Sequence, residues 1–271
     1  MKGRDLVFLK LGGSLITDKN KPLTARPKII RRIAREIKES LEENPDIQLL
    51  IGHGSGSFGH AIADKYQTQE GGWDNDYWQG FSEVWRAARE LNQYVVEIFH
   101  QEKLPVIAFP PSAGVVAKNK NFFSWDIRPI EFALSQKLIP LVQGDVIFDT
   151  EIGGTIFSTE KSFLYLSKKL QPSKILLAGI DKGVYKDVRD KNKILPRITT
   201  GNYLNIRSIL SGSDAVDVTG GMIAKVELML KLVQERPSLE IQIFSGLALG
   251  NIKKVLNGAV LGTLIQAQRD L

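Results

Sequence analysis

The sequence predicts a three-layer α/β/α sandwich with a mainly parallel central sheet. Three observations carry that expectation: short β-branched runs alternate with helical patterns, glycines gather after the strand-like runs, and no composition break marks a linker. Strands separated by helix-length segments imply right-handed βαβ crossovers and a sheet covered on both faces. The first strand is expected at 6–11 (LVFLKL), an apolar run interrupted by Lys10. A helix follows at 27–43, opened by Pro27 and closed at Asn44-Pro45. The run 47–51 (IQLLI) is the second strand. Next comes a long helix at 77–101, with Trp78, Phe81, Trp85, Ala88, Leu91, Val95 and Ile98 on one stripe. Further strands fit 104–109, 138–143, 174–179 and 239–244, and further helices fit 127–136, 162–170, 203–211, 221–235 and 248–256. There is no internal repeat, so residues 1–271 are expected to form a single domain whose two lobes, about 1–150 and about 151–271, share a continuous sheet.

Composition narrows the function classes. The chain has 271 residues, 43% hydrophobic and 24% charged, as soluble globular proteins do. The absence of cysteine excludes disulfides and Cys-ligated zinc or iron–sulfur sites. No apolar run approaches the ~18 residues of a membrane span, and Met1-Lys2-Gly3 leads straight into a strand without a signal-peptide pattern. A cytoplasmic protein with no membrane partner is expected. The net charge is +6; acids and bases balance through residue 150, so the whole surplus lies beyond it. A basic half suits a polyanion. Without an arginine-rich run or an aromatic–basic stripe, a small one such as a nucleotide is favoured over nucleic acid; a solvated basic surface is the plain alternative.

The glycines sharpen this. Gly12-Gly13-Ser14 follows the first strand, and Gly52-His53-Gly54-Ser55-Gly56-Ser57-Phe58-Gly59-His60 follows the second. Gly144-Asp145 and the segment 179–183 follow two others, and Asp217-Val218-Thr219-Gly220-Gly221 precedes a helix. Ligands of open α/β sheets collect at the carboxyl ends of strands, where such turns expose N–H groups to phosphate oxygens. One such loop would be explained by turn sterics; several at one edge point to phosphate. Neither a Walker A loop nor a dinucleotide-binding fingerprint is present, and the protein-kinase signatures are missing. Lys10, in an apolar strand two residues before Gly12, needs an anion beside it, either a phosphate or a structural carboxylate.

Lys10-Leu11-Gly12-Gly13-Ser14, the second loop, and Asp217-Val218-Thr219-Gly220-Gly221-Met222 together resemble the amino acid kinase family over nearly the whole chain. Within it, Gly54-Ser55-Gly56-Ser57-Phe58-Gly59-His60 and Thr17-Asp18-Lys19 look like the isopentenyl phosphate kinases. The resemblance implies ATP-dependent phosphorylation of isopentenyl monophosphate to the diphosphate, for isoprenoid synthesis. It implies an acceptor-binding first half, an ATP-binding second half and a homodimer. Alternatives are a kinase of another small phosphate or phosphonate (fosfomycin-type), or a non-catalytic nucleotide sensor on the same fold.

A monophosphate acceptor and a γ-phosphate repel, so donors and cations must hold them in line. On this reading His60, Lys10 and Lys19 are catalytic. Gly54, Ser55, Gly59, His60, Asp145 and Thr159 bind the acceptor. Lys10, Gly12, Gly13, Ser14, Gly56, Gly183, Gly220, Gly221 and Lys225 bind ATP. Lys225 lies near a helix N-terminus, where a lysine needs a compensating anion. Mg²⁺ is expected with the nucleotide, but no carboxylate cluster forms a protein metal cage. His53 is read as structural and His100 as exposed.

Two departures stand out. Relatives usually carry Ser-Gly-Asp where this chain has Ser158-Thr159-Glu160, and many carry Asp-x-Asp-Gly-Val where it has Ile180-Asp181-Lys182-Gly183-Val184. The stripe Trp78, Phe81, Trp85 reads first as core packing; the functional alternative is a slot for a five-carbon tail.

Overall fold

The computed structural model describes residues 5–187, 190, 193–211 and 220–268. In chain order the amino-terminal half holds β1 (Asp5–Leu11), α1 (Gly13–Ile16), α2 (Pro27–Glu43), β2 (Ile47–His53), α3 (His60–Lys65) and α4 (Asn75–Gln101). Then come β3 (Val106–Ala108), β4 (Val115–Lys118), β5 (Asn121–Trp125), α5 (Arg128–Ser135), β6 (Ile139–Gln143), β7 (Asp145–Asp149) and β8 (Gly153–Phe157). The rest comprises α6 (Thr159–Leu170), β9 (Lys174–Gly179), β10 (Arg197–Thr199), α7 (Tyr203–Ser211), α8 (Gly220–Glu235), β11 (Glu240–Ser245), α9 (Asn251–Leu256) and β12 (Thr263–Gln266).

The main sheet has eight strands in the order β10-β12-β11-β9-β1-β2-β6-β3. The six strands from β11 to β3 are parallel, and β12 runs antiparallel to β11. All six strand-like runs of the sequence lie in this parallel block, because strands buried on both faces are apolar throughout.

The two lobes share this sheet as expected, since β1, β2, β3 and β6 precede residue 150 and β9 to β12 follow it; a second, smaller sheet was not expected. Strands β5-β4-β7-β8 form a separate four-stranded sheet, with β4 antiparallel to β5 and β7 antiparallel to β8. These strands are short and interrupted by Gly, Asp, Asn and Thr, so they lack a hydrophobic run. Asp149 closes the β4–β5 turn by accepting from the backbone N–H groups of Asn119 and Lys120 at 2.9 and 2.7 Å.

Alternation along β1 distributes the core. Val7, Leu9 and Leu11 pack with α2, α4 and α9 on one face, whereas Phe8 packs with α6 and α8 on the other. Lys10 shares the Phe8 face, because side chains of a strand alternate. His53, two residues after Ile51 on β2, is likewise directed at the α4 side. No described helix is long and apolar enough to cross a membrane.

The stripe of α4 is rotated slightly from its expected centre. Tyr77, Phe81, Val84, Ala88, Leu91, Val95 and Ile98 are buried, and Trp78 is half-buried. Trp85 is 38% exposed, with the Arg89 guanidinium 5.6 Å from its ring centre. His100 is exposed, as expected, and its Nε2 lies 2.9 Å from the carbonyl of Val106.

Candidate active site

The parallel strands end together, and the glycine turns of the sequence meet at that edge. Gly12 leaves β1 beside β9, its N–H donating to Ala178 O at 2.8 Å. Gly54 N–H donates to Leu11 O at 3.1 Å, and Gly144 N–H donates to His53 O at 2.9 Å. The first two turns pack backbone to backbone: a Cβ on Gly13 would collide with the amide of Gly56. Gly56 has φ +51°, and a Cβ there would meet Gly13 O at 2.7 Å. Glycine is therefore required on both sides of this contact.

Lys10 comes up beneath α6 and α8, and those helices supply its neighbours. Its Nζ forms a short ion pair with Glu160, the second residue of α6. Lys225, on α8, places its Nζ 3.8 Å from the same Glu160 oxygen. One carboxylate thus serves two lysines. Burial pushes the Glu160 carboxyl up, but Lys10 and Lys225 outweigh it and hold the group below the usual carboxylate range. Burial lowers the Lys225 ammonium, the Lys10 charge lowers it further, Glu160 and Asp181 oppose this, and Lys19 adds to it. Lys10, Lys19, Lys225, Glu160 and Asp181 therefore share one electrostatic neighbourhood, with three cations against two carboxylates. Sequence reasoning missed Glu160 as a site residue, although it sits in the Ser158-Thr159-Glu160 departure.

His60 opens α3 directly after the second loop, but its side chain lies outside the described residues. Gly220 and Gly221 open α8, while Asp217, Val218 and Thr219 lie outside the described residues. Ser14 is in α1, and its carbonyl faces the Arg26 guanidinium at 3.4 Å. Ser55 closes the tight turn of the second loop, its carbonyl accepting from Phe58 N–H at 3.1 Å, and Gly59 packs against the Ser55 side chain.

Three expected contact residues also make contacts within the scaffold. The Thr159 hydroxyl donates to His53 O at 2.6 Å and its methyl group covers Gly52, which leaves the backbone of 159 to offer an acceptor. Asp145 is buried, its oxygens accepting from Ser112 N–H at 3.1 Å and Val146 N–H at 2.9 Å. Burial pushes its carboxyl up to about 6 despite those bonds. Gly183 abuts β12, where a Cβ would meet Thr263 Oγ1 at 2.7 Å.

His53 is structural, as read. It is fully buried between Gly54 O (3.2 Å from Nδ1) and Asn92 Nδ2 (3.1 Å from Nε2). Since the amide of Asn92 can donate and the carbonyl can accept, the proton sits on Nδ1. Burial drives its pKa down to about 4, against the Gly54 bond and with help from the Lys10 charge.

Around α3 and α4, Tyr77, Phe81, Val84 and Val146 form a small apolar cluster, with Ile62, Ala63, Trp78 and Ile156 packed against it. Phe148 adds an aromatic edge 5.2 Å from Phe81, centre to centre. Among the described residues no group of three or more His, Asp or Glu could hold a metal ion.

Comparison with known proteins shows the family. The model of the amino acid kinase family matches residues 5–245. The chain belongs to that family. It is 36% identical to an isopentenyl phosphate kinase of Methanocaldococcus jannaschii, across 96% of this chain and 98% of the relative. It is 30% identical to an isopentenyl phosphate kinase of Methanothermobacter thermautotrophicus over the same shares. Among solved structures, one of isopentenyl phosphate kinase superimposes with TM-score 0.82 at 27% identity, covering 96% of this chain and all of that one. A substrate complex of isopentenyl phosphate kinase has the same fold, with TM-score 0.76 at 24% identity.

Proposed function

We propose that this chain transfers the γ-phosphoryl group of ATP to isopentenyl monophosphate. An acceptor phosphate oxygen forms the new P–O bond, the bond to the β–γ bridging oxygen breaks, and ADP and isopentenyl diphosphate leave. The observation that carries this reading is the Lys10–Glu160–Lys225 cluster beside the back-to-back glycine turns. Two anions that repel each other need such a cationic floor and backbone donors, and alignment with charge stabilisation supplies most of the rate of phosphoryl transfer.

Residues up to about 150 take the acceptor and the basic remainder takes ATP. Lys10 and Lys225 receive phosphate oxygens from below, releasing part of their charge from Glu160. Lys19 approaches from the loop after α1, and His60 with the amides of Gly54 to Gly59 holds the acceptor phosphate. Mg²⁺, when bound, neutralises β- and γ-phosphate charge. Among this chain's residues, Asp181, a carboxylate in the electrostatic neighbourhood of Lys225, would be the one to face such an ion. The α3 helix carries His60 at its start and Ile62 and Ala63 into the apolar cluster, so a short prenyl tail fits beside a phosphate held at His60. Burial gains about 0.8 kcal/mol per CH₂ there.

We also place the enzyme in the cytoplasm as a homodimer. β3 is the sheet edge, and Ile107 on it and Phe132 on α5 are 42% and 70% exposed.

The direct test is ADP release with ATP, Mg²⁺ and isopentenyl monophosphate, with a small phosphonate as competitor. His60→Ala should remove most kcat/KM for the monophosphate while ATP still binds. Turnover retained within about threefold (~0.7 kcal/mol) contradicts the role of His60. A kcat/KM that favours the phosphonate contradicts the acceptor.

A further inference from the structure

Lys19 is exposed on a loop, and a lysine on a free loop is poorly organised for transfer. This loop is not free. Thr17 pairs with Ala25 across its neck, Asp18 N–H donates to Thr24 O at 2.8 Å, and Asn20 N–H donates to Asp18 Oδ1 at 3.0 Å. Lys19 therefore sits in a defined turn. The loop is fastened to the second glycine turn by one residue, Ser57. Leu23 N–H donates to Ser57 O at 3.2 Å, and Thr24 N–H approaches Ser57 Oγ at 3.4 Å.

Ser57 is in turn held by Thr17. The buried Thr17 hydroxyl accepts from Ser57 N–H at 3.0 Å and donates to Gly13 O at 2.8 Å. One hydroxyl thus ties together both glycine turns and the lysine loop. It fills the space that a Cβ on Gly56 would occupy. Ser57 is also three residues ahead of His60, so the same clasp fixes the approach of the acceptor helix.

We infer that Thr17 is a positioning residue, setting Lys19 through Ser57 against the phosphates that Lys10 and Lys225 receive. It rests on the phosphotransfer reading above and adds to it the group that organises the lysine loop. The electrostatic influence of Lys19 on Lys225 agrees with a loop that is held facing the cluster.

The experiment is a double-mutant cycle between Thr17→Val, which keeps shape and removes the hydroxyl, and Lys19→Met. With ATP, Mg²⁺ and isopentenyl monophosphate, Thr17→Val should lower kcat at least tenfold, with KM for ATP changed less than threefold. Thr17→Ser should restore kcat to within threefold of wild type. In the Lys19→Met background, Thr17→Val should cost less than a further twofold. If Thr17→Val does not fold by circular dichroism, Ser57→Ala serves instead, because it removes the Thr24 contact and keeps the Ser57 backbone. Its loss, about threefold, should also vanish without Lys19. An equal loss in both backgrounds, or no loss at all, overturns the positioning role. A Lys19→Met enzyme as fast as wild type overturns it too. Wild-type protein that releases no ADP instead overturns the phosphotransfer reading itself.

Discussion

Glu160 shows how one side chain sets the resting state of the site. It neutralises two lysines whose charges would otherwise face each other across a partly dry space. Removing one partner of a buried ion pair costs on the order of 3 kcal/mol, because the remaining charge is stranded. Glu160→Gln should therefore lower the melting temperature of the nucleotide-free protein. ATP phosphates can then take the place of the lost carboxylate, so the gain in melting temperature on adding saturating ATP should be larger in the variant than in wild type. A smaller gain would mean that Glu160 organises the lysines for ATP more than it competes with it. The need of Lys10 for an anion was legible from its apolar strand. Which anion met it was not, because Glu160 lies 150 positions away and reaches Lys10 through the packing of α6 on the sheet. Thr159 was legible as a departure, but its hydroxyl was claimed by the carbonyl of His53, a partner no local pattern reveals.

Among the elements, the turn between β1 and α1 and the turn after β2 behave as one unit. Gly56→Ala should be severe, since it combines a positive φ with a collision against Thr17 Oγ1 and a 2.7 Å approach to Gly13 O. The expected outcome is at least a hundredfold loss of kcat/KM for the acceptor, with a lower melting temperature, checked by steady-state kinetics and calorimetry. A near-normal Gly56→Ala enzyme would refute the close packing of the two turns. The helices were legible where amphipathic periodicity and stop signals agree: α2 spans Pro27–Glu43, bounded by Pro27 and Asn44 as read. β7 and β8 were not, since Asp145, Asp149, Gly153 and Gly154 break any run of strand formers. Their stability comes from Val146 packing on Tyr77 and Phe81, and from Ile147 packing on Val115 and Phe157.

For the molecule as a whole, two buried titrating groups pull stability in opposite directions with pH. The folded pKa of His53 is about 4, below its ordinary 6.5, so the unfolded chain takes up more protons between these values. Its contribution is full above pH 6.5 and is lost as pH falls toward 4, at about 1.4 kcal/mol per unit. Asp145 has a folded pKa of about 6, above its ordinary 3.8, so its contribution is full below 3.8 and is lost as pH rises through 6. Between pH 4 and 6 the two slopes oppose each other. Asp145→Asn should leave the histidine slope unopposed, and the urea midpoint should fall further on going from pH 6 to pH 4 than it does in wild type. An unchanged slope would exclude a titrating Asp145. Assembly is tested at the same scale: the 30.2 kDa chain should sediment as a dimer, and Ile107→Glu should shift it toward the monomer.

By itself the sequence determined the layered fold, the strands of the parallel block and the glycine turns at their carboxyl ends, because period and turn chemistry are local properties. It also marked Lys10, Lys19, Lys225 and His60 as candidates for phosphate contact, Lys10 and Lys225 because their positions call for a compensating anion. Only the tertiary structure decided that Lys10 and Lys225 share Glu160, that Thr17 clasps two turns and a lysine loop, and that Asp145 and Thr159 face the scaffold. Those outcomes depend on which face of each strand a helix covers, and that is fixed by packing between residues far apart in the chain.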